Sequence, residues 1–463
     1  MPTSVPGADP DCASCRALGE RLAQAQALIE ELRKRNGDLE RRLASLEQAS
    51  HRQAAPFRRP EQKRKPESEK GRPGRRPGHE ASYRPPPERI DDYARVPLAR
   101  CPHCQGPVTD VRPVVQIIQD LVPVRVRSLQ LTTHRGHCAH CGEVRSTHPA
   151  QVSTATGAAG VHLGPQALAL VASLNKHHGL TMRRVCAILA EHFGLRLSPG
   201  GLSQALDRIA DRLAAPYAQL QQALRQSPAV HADETGWWVG GRSRWLWVLT
   251  YPLGTFYQID NRSQEVIRRV LGDDYQGVLI SDCLASYDPH PGLKSKCVAH
   301  HLKAISEALA EVTASEFLTA IRRFFKVAIT LHSLREDLPP ERYAPAVAHL
   351  EQELDRHLAA PYALAPELRI ANRLRKQRPH LLTFLHLPGV APTNNLAERQ
   401  LRPAVIARKL SCGNKTPRGQ RTFEVLASLA ATCRQQGRSF SELVGDALRL
   451  AGPSPPPRQC DPA

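Results

Sequence analysis

The sequence predicts a multidomain α+β chain: an N-terminal coiled coil, a cysteine-rich ribbon, a helical region of helix-turn-helix character, and an α/β domain interrupted by a helical insertion. Three observations predict it. The hydrophobic period changes along the chain, from a heptad before residue 50 to strand-like aromatic and β-branched runs after 228 and helical spacing after 303. Two Cys-x-x-Cys pairs bracket an apolar stretch between residues 101 and 141. The formal charge of +19 over 463 residues is segregated: residues 51–80 hold ten Lys and Arg against four Glu, and residues 369–421 hold twelve against one acid, so these two segments supply +17 of the total. Charge concentrated in this way fits a nucleic-acid backbone as partner.

The sequence also excludes some classes. No run of about 18 uncharged apolar residues occurs, and Met1 to Pro10 lacks the basic and apolar regions of a signal peptide, so a cytoplasmic, nucleoid-associated chain with no membrane contact is expected. In a reducing compartment the twelve cysteines are poor candidates for disulfides, and pairs at metal-ligand spacing call for a metal.

Residues 12–50 read as a coiled-coil dimerisation helix. Leu22, Ile29, Asn36 and Leu43 form one heptad series, and Leu18, Ala25, Leu32, Leu39 and Leu46 the other. Arg35 faces Glu40 and Arg42 faces Glu47 at flanking positions, and Asn36 at a core position favours a parallel pair, hence a homodimer or higher oligomer. Cys12 and Cys15 form one further pair, with free thiols the simpler reading. Residues 51–95 are a basic Pro/Gly-rich linker without apolar periodicity. Within it Arg72, Arg75 and Arg76 either enter a DNA minor groove or stay solvated on a tether.

Residues 96–150 read as a zinc ribbon, with Cys101, Cys104, Cys138 and Cys141 as four thiolate ligands to one structural Zn²⁺ and alternating strands through Val111 to Leu131. Residues 160–222 read as helices over Gly164 to Lys176, Thr181 to Phe193 and Ser198 to Leu213, with Thr181 and Ser198 as N-caps and Gly194 as a terminator. This region is either a DNA-binding helix-turn-helix or a structural bundle.

From residue 228 strands are expected at Ala229 to Val239, Trp245 to Tyr251 and Phe256 to Ile259, then a helix over Ser263 to Leu271 and a buried strand Gly277 to Asp282. A meander, a helix and a buried strand ending in Asp is the order of a ribonuclease-H-like α/β fold, assigned here to 228–302 and 386–436. The helical insertion is 303–385, and 437–463 is a C-terminal helix and tail. In that order Asp233 and Asp282 lie side by side, and paired carboxylates repel unless a hard cation such as Mg²⁺ or Mn²⁺ bridges them. Glu398 is the candidate third ligand, because it is the one acid among twelve bases between Arg369 and Arg421; alternatively it pairs with Arg402 one turn on. Glu234 adjoins Asp233, but alternation sends the two to opposite faces of a strand. Arg399, Arg402, Arg408 and Lys409 are candidate DNA contacts, on a helix beginning near Asn394 that Asn394 or Asn395 would cap. A strand over Lys296 to Ala299 is expected before His300 and His301, which either touch a phosphate or pack.

At His231-Ala232-Asp233-Glu234-Thr235-Gly236-Trp237, Gly277-Val278-Leu279-Ile280-Ser281-Asp282 and Asn394-Asn395-Leu396-Ala397-Glu398-Arg399 the chain resembles the transposases of the insertion sequence 66 family. The resemblance implies a DDE-type transposase whose triad is Asp233, Asp282 and Glu398, acting with divalent metal on double-stranded DNA at transposon ends and target, and often beside small accessory proteins of the same element. It departs from the family pattern at Val298, where Trp is usual, and at Ala304, where an acid often stands. The competing reading is a dimeric zinc-containing DNA-binding regulator derived from a transposase, without catalysis.

Overall fold

A computed structural model describes residues 26, 27, 29–33, 35–37, 85–120, 126–148, 150–153 and 161–450. The chain divides into two compact units, residues 1–119 and 120–463. In the first, the described residues between 26 and 37 are helical. Most of the zipper positions, Cys12, Cys15 and the linker residues Arg72, Arg75 and Arg76 lie outside the described residues. Cys101 opens a tight turn in which Gln105 N–H donates to the Cys101 carbonyl at 2.9 Å and Cys101 N–H to the Gly106 carbonyl at 3.0 Å. The strands expected through Val111 to Leu131 are not found among the described residues of that stretch. Val114, Val115 and Ile118 stand exposed there, so their alternation is not turned onto a core.

The second unit begins with a hairpin, β1 (Arg135–Cys138) and β2 (Gly142–Arg145), whose turn carries Cys138 and Cys141. Helices α1 (Pro165–Ala172), α2 (Met182–Phe193), α3 (Pro199–Arg212) and α4 (Ala214–Arg225) follow. Thr181 and Ser198 cap α2 and α3 through their side chains, and Gly194 ends α2 in the left-handed conformation, as the sequence leads one to expect. The expected helix to Lys176 instead widens after Ala172 into a π-helical turn, Ser173–His177.

A five-stranded mixed sheet forms the centre of the unit: β3 (Ala229–Val239), β4 (Arg242–Tyr251), β5 (Gly254–Asp260), β6 (Val278–Ser281) and β7 (Lys294–Lys296). Its order is β5-β4-β3-β6-β7. The first three strands are an antiparallel meander, and β6 and β7 add in parallel beside β3. Helix α5 (Glu265–Leu271) makes the crossover to β6. Strand alternation divides β3 between cores. Val230 and Ala232 pack with Trp247, Leu249 and the helices of residues 165–225, whereas Ala229, Trp237 and Val239 face the opposite side.

After β7 the chain turns into α6 (Val298–Leu309), so the strand expected to Ala299 stops at Lys296. Cys297 takes the N-cap position of that helix, and His300 and His301 lie on its first turn. Helices α7 (Glu316–Ser333), α8 (Pro340–Ala359), α9 (Ala365–Gln377) and the short α10 (Thr383–His386) complete the insertion around buried Phe317, Phe324, Phe325 and Phe384. The chain then returns in α11 (Asn395–Ser411) and α12 (Pro417–Gln435), which pack on the sheet through Ala397, Leu401, Ala404 and Phe423. Helix α13 (Phe440–Leu450) closes the first core with Phe440, Val444 and Leu448. No helix among the described residues is long and apolar enough to cross a membrane.

The loop between α11 and α12 is stitched to the end of β3. Asn414 N–H donates to the Trp238 carbonyl at 2.8 Å, Gly240 N–H to the Asn414 carbonyl at 2.9 Å, and the Trp237 indole N–H to Asn414 Oδ1 at 2.8 Å. Gly413, at φ +95°, lets the two backbones approach, since a Cβ there would collide with the Trp238 carbonyl. Gly413→Ala is therefore expected to cost more than the roughly 1–3 kcal/mol of a strained φ alone. Gly389→Ala, at φ +75° with nothing within 4 Å of the added carbon, should show only the smaller loss. Thermal melts of the two variants check the difference, and equal shifts would count against the stitch.

Candidate active site

The parallel register of β3 and β6 fixes the first two carboxylates. Ala229, Val230 and His231 pair with Val278, Leu279 and Ile280, and the same offset carried two residues on brings Asp282 level with Asp233. Asp233 shares its strand face with Thr235 and Trp237, the face covered by α11. Asp282 lies just past the end of β6, where its Oδ1 accepts the Leu284 N–H at 2.9 Å and so turns the chain sharply.

Glu398 comes from the first turn of α11. Burial pushes the Asp233 carboxyl up to about 7, against a hydrogen bond from the Glu234 N–H, and the charges of Glu234, Asp282 and Glu398 push it further the same way. Asp282 and Glu398 thus both bear electrostatically on Asp233. The alternative pairing of Glu398 with Arg402 is not among the ion pairs of the described residues; the basic group beside it is His300, whose Nδ1 lies 4.0 Å from Oε1.

Glu234 occupies the other face of the strand. Its side chain is 3% exposed and is held by Arg262 at 2.8 Å and by the Tyr287 hydroxyl at 2.6 Å, while Arg262 also stacks on Trp245 at 4.0 Å. Its carboxylate is therefore fully engaged in a pocket of its own.

Several residues position the cluster in roles that the sequence did not show. Asn394, expected to cap α11 through its side chain, does not; its Nδ2 donates to the Ala232 carbonyl at 2.8 Å and its Oδ1 lies 3.3 Å from His231 Nδ1. The main chain just before α11 is thereby clamped to β3 beside Asp233. Burial lowers His231 to about 4, so it is a neutral partner in that clamp. Asn394 N–H also donates to Cys297 Sγ at 3.1 Å, which ties the start of α11 to the start of α6.

Lys296 is completely buried behind Asp282. It donates to the Asp282 carbonyl at 3.0 Å and lies 3.5 Å from Asp288. Burial lowers its amine below the usual lysine range while Asp288, Cys283 and Asp282 draw it back up. The one signal for it in the sequence is a lysine in the short polar strand Lys294–Lys296 next to an acid-ended strand.

The basic residues of α11 differ in role. Arg399 and Arg402 are exposed along the helix, beyond the site. Arg408 is turned inward, its Nη1 donating to Thr235 Oγ1 at 3.0 Å and to the Gly236 carbonyl, so it braces β3. Lys409 is half-buried. Cys101 and Cys138 share a local geometry: the backbone N–H groups two and three residues on (His103 and Cys104, His140 and Cys141) lie against each sulfur and lower its thiol.

Residues 160–422 match the family described as "Transposase IS66 family". Among curated proteins, the chain is 34% identical over 80 residues to the uncharacterized protein y4jO of Sinorhizobium fredii, a match spanning 17% of this chain and 25% of that protein. The chain thus covers about a quarter of that relative's length.

The raised Asp233 carboxyl has a consequence for stability. Folding raises its affinity for a proton, so its favourable contribution is complete below the usual carboxylate value of 3.8 and is lost as pH rises through about 7. In metal-free protein Asp233→Asn should therefore raise the melting temperature at pH 8, by roughly 2 °C or less for each kcal/mol recovered, and should change it little near pH 4. Melts at the two pH values test this; a variant less stable at pH 8 would contradict the crowding of charge at Asp233.

Proposed function

The chain belongs to the insertion sequence 66 transposase family, and from that premise we propose that it is a DDE-type transposase, catalysing divalent-metal-dependent cleavage of DNA strands at the ends of an insertion sequence and their transfer to target DNA. The observation that carries this reading is the convergence of charge at Asp233, whose carboxyl is pushed up to about 7 by burial and by neighbours that include Asp282 and Glu398. A buried carboxylate on which the charges of two others bear offers, with them, the all-oxygen donor set that suits Mg²⁺ or Mn²⁺. When bound there, two such ions would activate a water or 3′-hydroxyl and stabilise the leaving oxygen of an in-line phosphoryl displacement.

The protein's own groups have distinct tasks in this reading. Asp233, Asp282 and Glu398 hold the ions. Lys296 fixes the carbonyl of Asp282, and Asn394 fixes the approach to the Glu398 helix. Arg399 and Arg402 receive the DNA backbone, with Lys409 further along the same helix and Arg72, Arg75 and Arg76 from the linker. Arg408 is better read as a brace than as a DNA contact. The sheet order β5-β4-β3-β6-β7, with its crossover helix, supports a ribonuclease-H-like domain interrupted by the insertion. The caps of α2 and α3 are compatible with a helix-turn-helix. Residues 12–50 would pair two copies of the chain, the family likeness alone adds accessory proteins of the same element as partners, and the site of action is the nucleoid.

The four thiols Cys101, Cys104, Cys138 and Cys141 are proposed ligands of structural Zn²⁺. The reading rests on their spacing in the sequence and on the N–H groups directed at Cys101 and Cys138 within each pair, an arrangement suited to thiolates. Metal analysis of freshly purified protein is expected to find zinc that Cys101→Ser diminishes. Full zinc content in that variant would remove Cys101 from the ligand set.

The catalytic reading is tested on DNA carrying the element's terminal repeats. Nicking that requires Mg²⁺ is expected, falling by at least about a hundredfold in Asp233→Ala, Asp282→Ala and Glu398→Gln, with DNA binding retained in each. Glu234→Gln should keep most of the activity, because its carboxylate is committed to Arg262 and Tyr287. DNA binding without cleavage in the unsubstituted protein would favour a dimeric zinc-containing regulator, and an active Glu398→Gln beside an inactive Glu234→Gln would overturn the triad.

A further inference from the structure

We propose that Cys297, His300 and Glu398 form a second metal site, for a borderline divalent cation such as Zn²⁺, where α6 and α11 begin. One ligand atom from each of the three residues lies within 4.8 Å of the others. The donor set is sulfur, nitrogen and oxygen, which selects Zn²⁺ over Mg²⁺, in contrast to the oxygen-only set of Asp233, Asp282 and Glu398.

The fold builds this site from two helix starts. Cys297 at the N-cap of α6 and His300 three residues on lie on the same side of one helical turn. Glu398 is brought opposite them because the Asn394 N–H, four residues before it, is bonded to Cys297 Sγ. Burial pushes the Cys297 thiol up, and the backbone N–H groups of Asn394, His300 and Ala299 beside the sulfur act against that rise. His300 Nδ1 is buried, has no hydrogen-bond partner, and lies 4.0 Å from the Glu398 carboxylate. The remaining exposure of the His300 and Glu398 side chains, 35% and 38%, leaves an entry path and room for water in a fourth position. On binding, the thiol proton passes to solvent, and the sulfur and carboxylate charges balance the cation.

Occupation of this site would take Glu398 out of the carboxylate triad. That consequence rests on the catalytic reading above; the site itself does not. Zinc would then act as an inhibitor of Mg²⁺-dependent chemistry by withdrawing one shared ligand.

The test uses full-length protein as purified, dialysed against Zn²⁺ and assayed for bound zinc. Cys297→Ser and His300→Ala are each expected to hold one zinc fewer per chain than the unsubstituted protein. His300→Ala guards against misfolding of the buried Cys297→Ser, because its ring is partly exposed, and circular dichroism verifies that both are folded. Retention of the full zinc content by His300→Ala overturns the three-ligand site, whatever Cys297→Ser does. In the nicking assay, Zn²⁺ added over Mg²⁺ at the concentration that fills the site should suppress cleavage, and undiminished cleavage would overturn the inhibitory role. A protein that loses this zinc in both variants yet never nicks DNA leaves the site standing and counts against the catalytic reading instead.

Discussion

Asn394 holds the carboxylate cluster together, although it carries no charge and is wholly buried. Its amide N–H reaches the Ala232 carbonyl, its amide oxygen meets His231, and its backbone N–H meets the sulfur of Cys297. β3, α6 and α11 therefore meet at one residue. Asp233 follows the first of these contacts, His300 lies three residues past Cys297, and Glu398 lies four residues past Asn394 itself. Severing one of these bonds would leave buried polar groups unpaired at about 1–3 kcal/mol each. It would also release the start of the helix that carries Glu398, so stability and geometry at this point are the same property.

The parts of this arrangement that were legible in the sequence are those set by local pattern. Asp233 lies in an aromatic strand and Asp282 at the end of an apolar one, and a parallel pairing of two such strands aligns them without further information. Glu398 was visible through contrast, as a single acid in a basic segment. The separation of Glu234 from Asp233 follows from the two-residue period of a strand, which also gives Glu234 its own partners on the far face.

What could not be read depends on contacts between segments far apart in the chain. The roles of Asn394 and Arg408 are examples: each looked like a local helix residue, a cap and a phosphate contact, yet each bonds to β3 more than 150 residues earlier. The strand expected to Ala299 gave way at Lys296 to helix α6, with Cys297 at the N-cap position, a place that propensity does not assign to cysteine and that its side chain does not cap. Conversely, the alternation through Val111 to Leu131 has the right period for strands, but Val114, Val115 and Ile118 are exposed. Period reports the face a segment could bury, and only a partner decides whether it does so.

The distribution of countercharge completes the physical account. Cations are close to the cluster, but among the described residues they pair with its neighbours: Arg262 with Glu234, and Lys296 and Lys376 with Asp288. Lys296 donates to the backbone carbonyl of Asp282 and not to its carboxylate, whose charge it meets without a hydrogen bond. If an arginine or lysine instead paired directly with Asp233, the carboxyl would be held low and the site would be stable without ions. As it stands, Asp233 is pushed up to about 7, and a proton is the simplest ligand that relieves the repulsion in the metal-free protein. A divalent cation would relieve it more fully and at higher pH, so in the proposed reading the same omission of a countercharge that weakens the metal-free fold would give the cluster its affinity for metal.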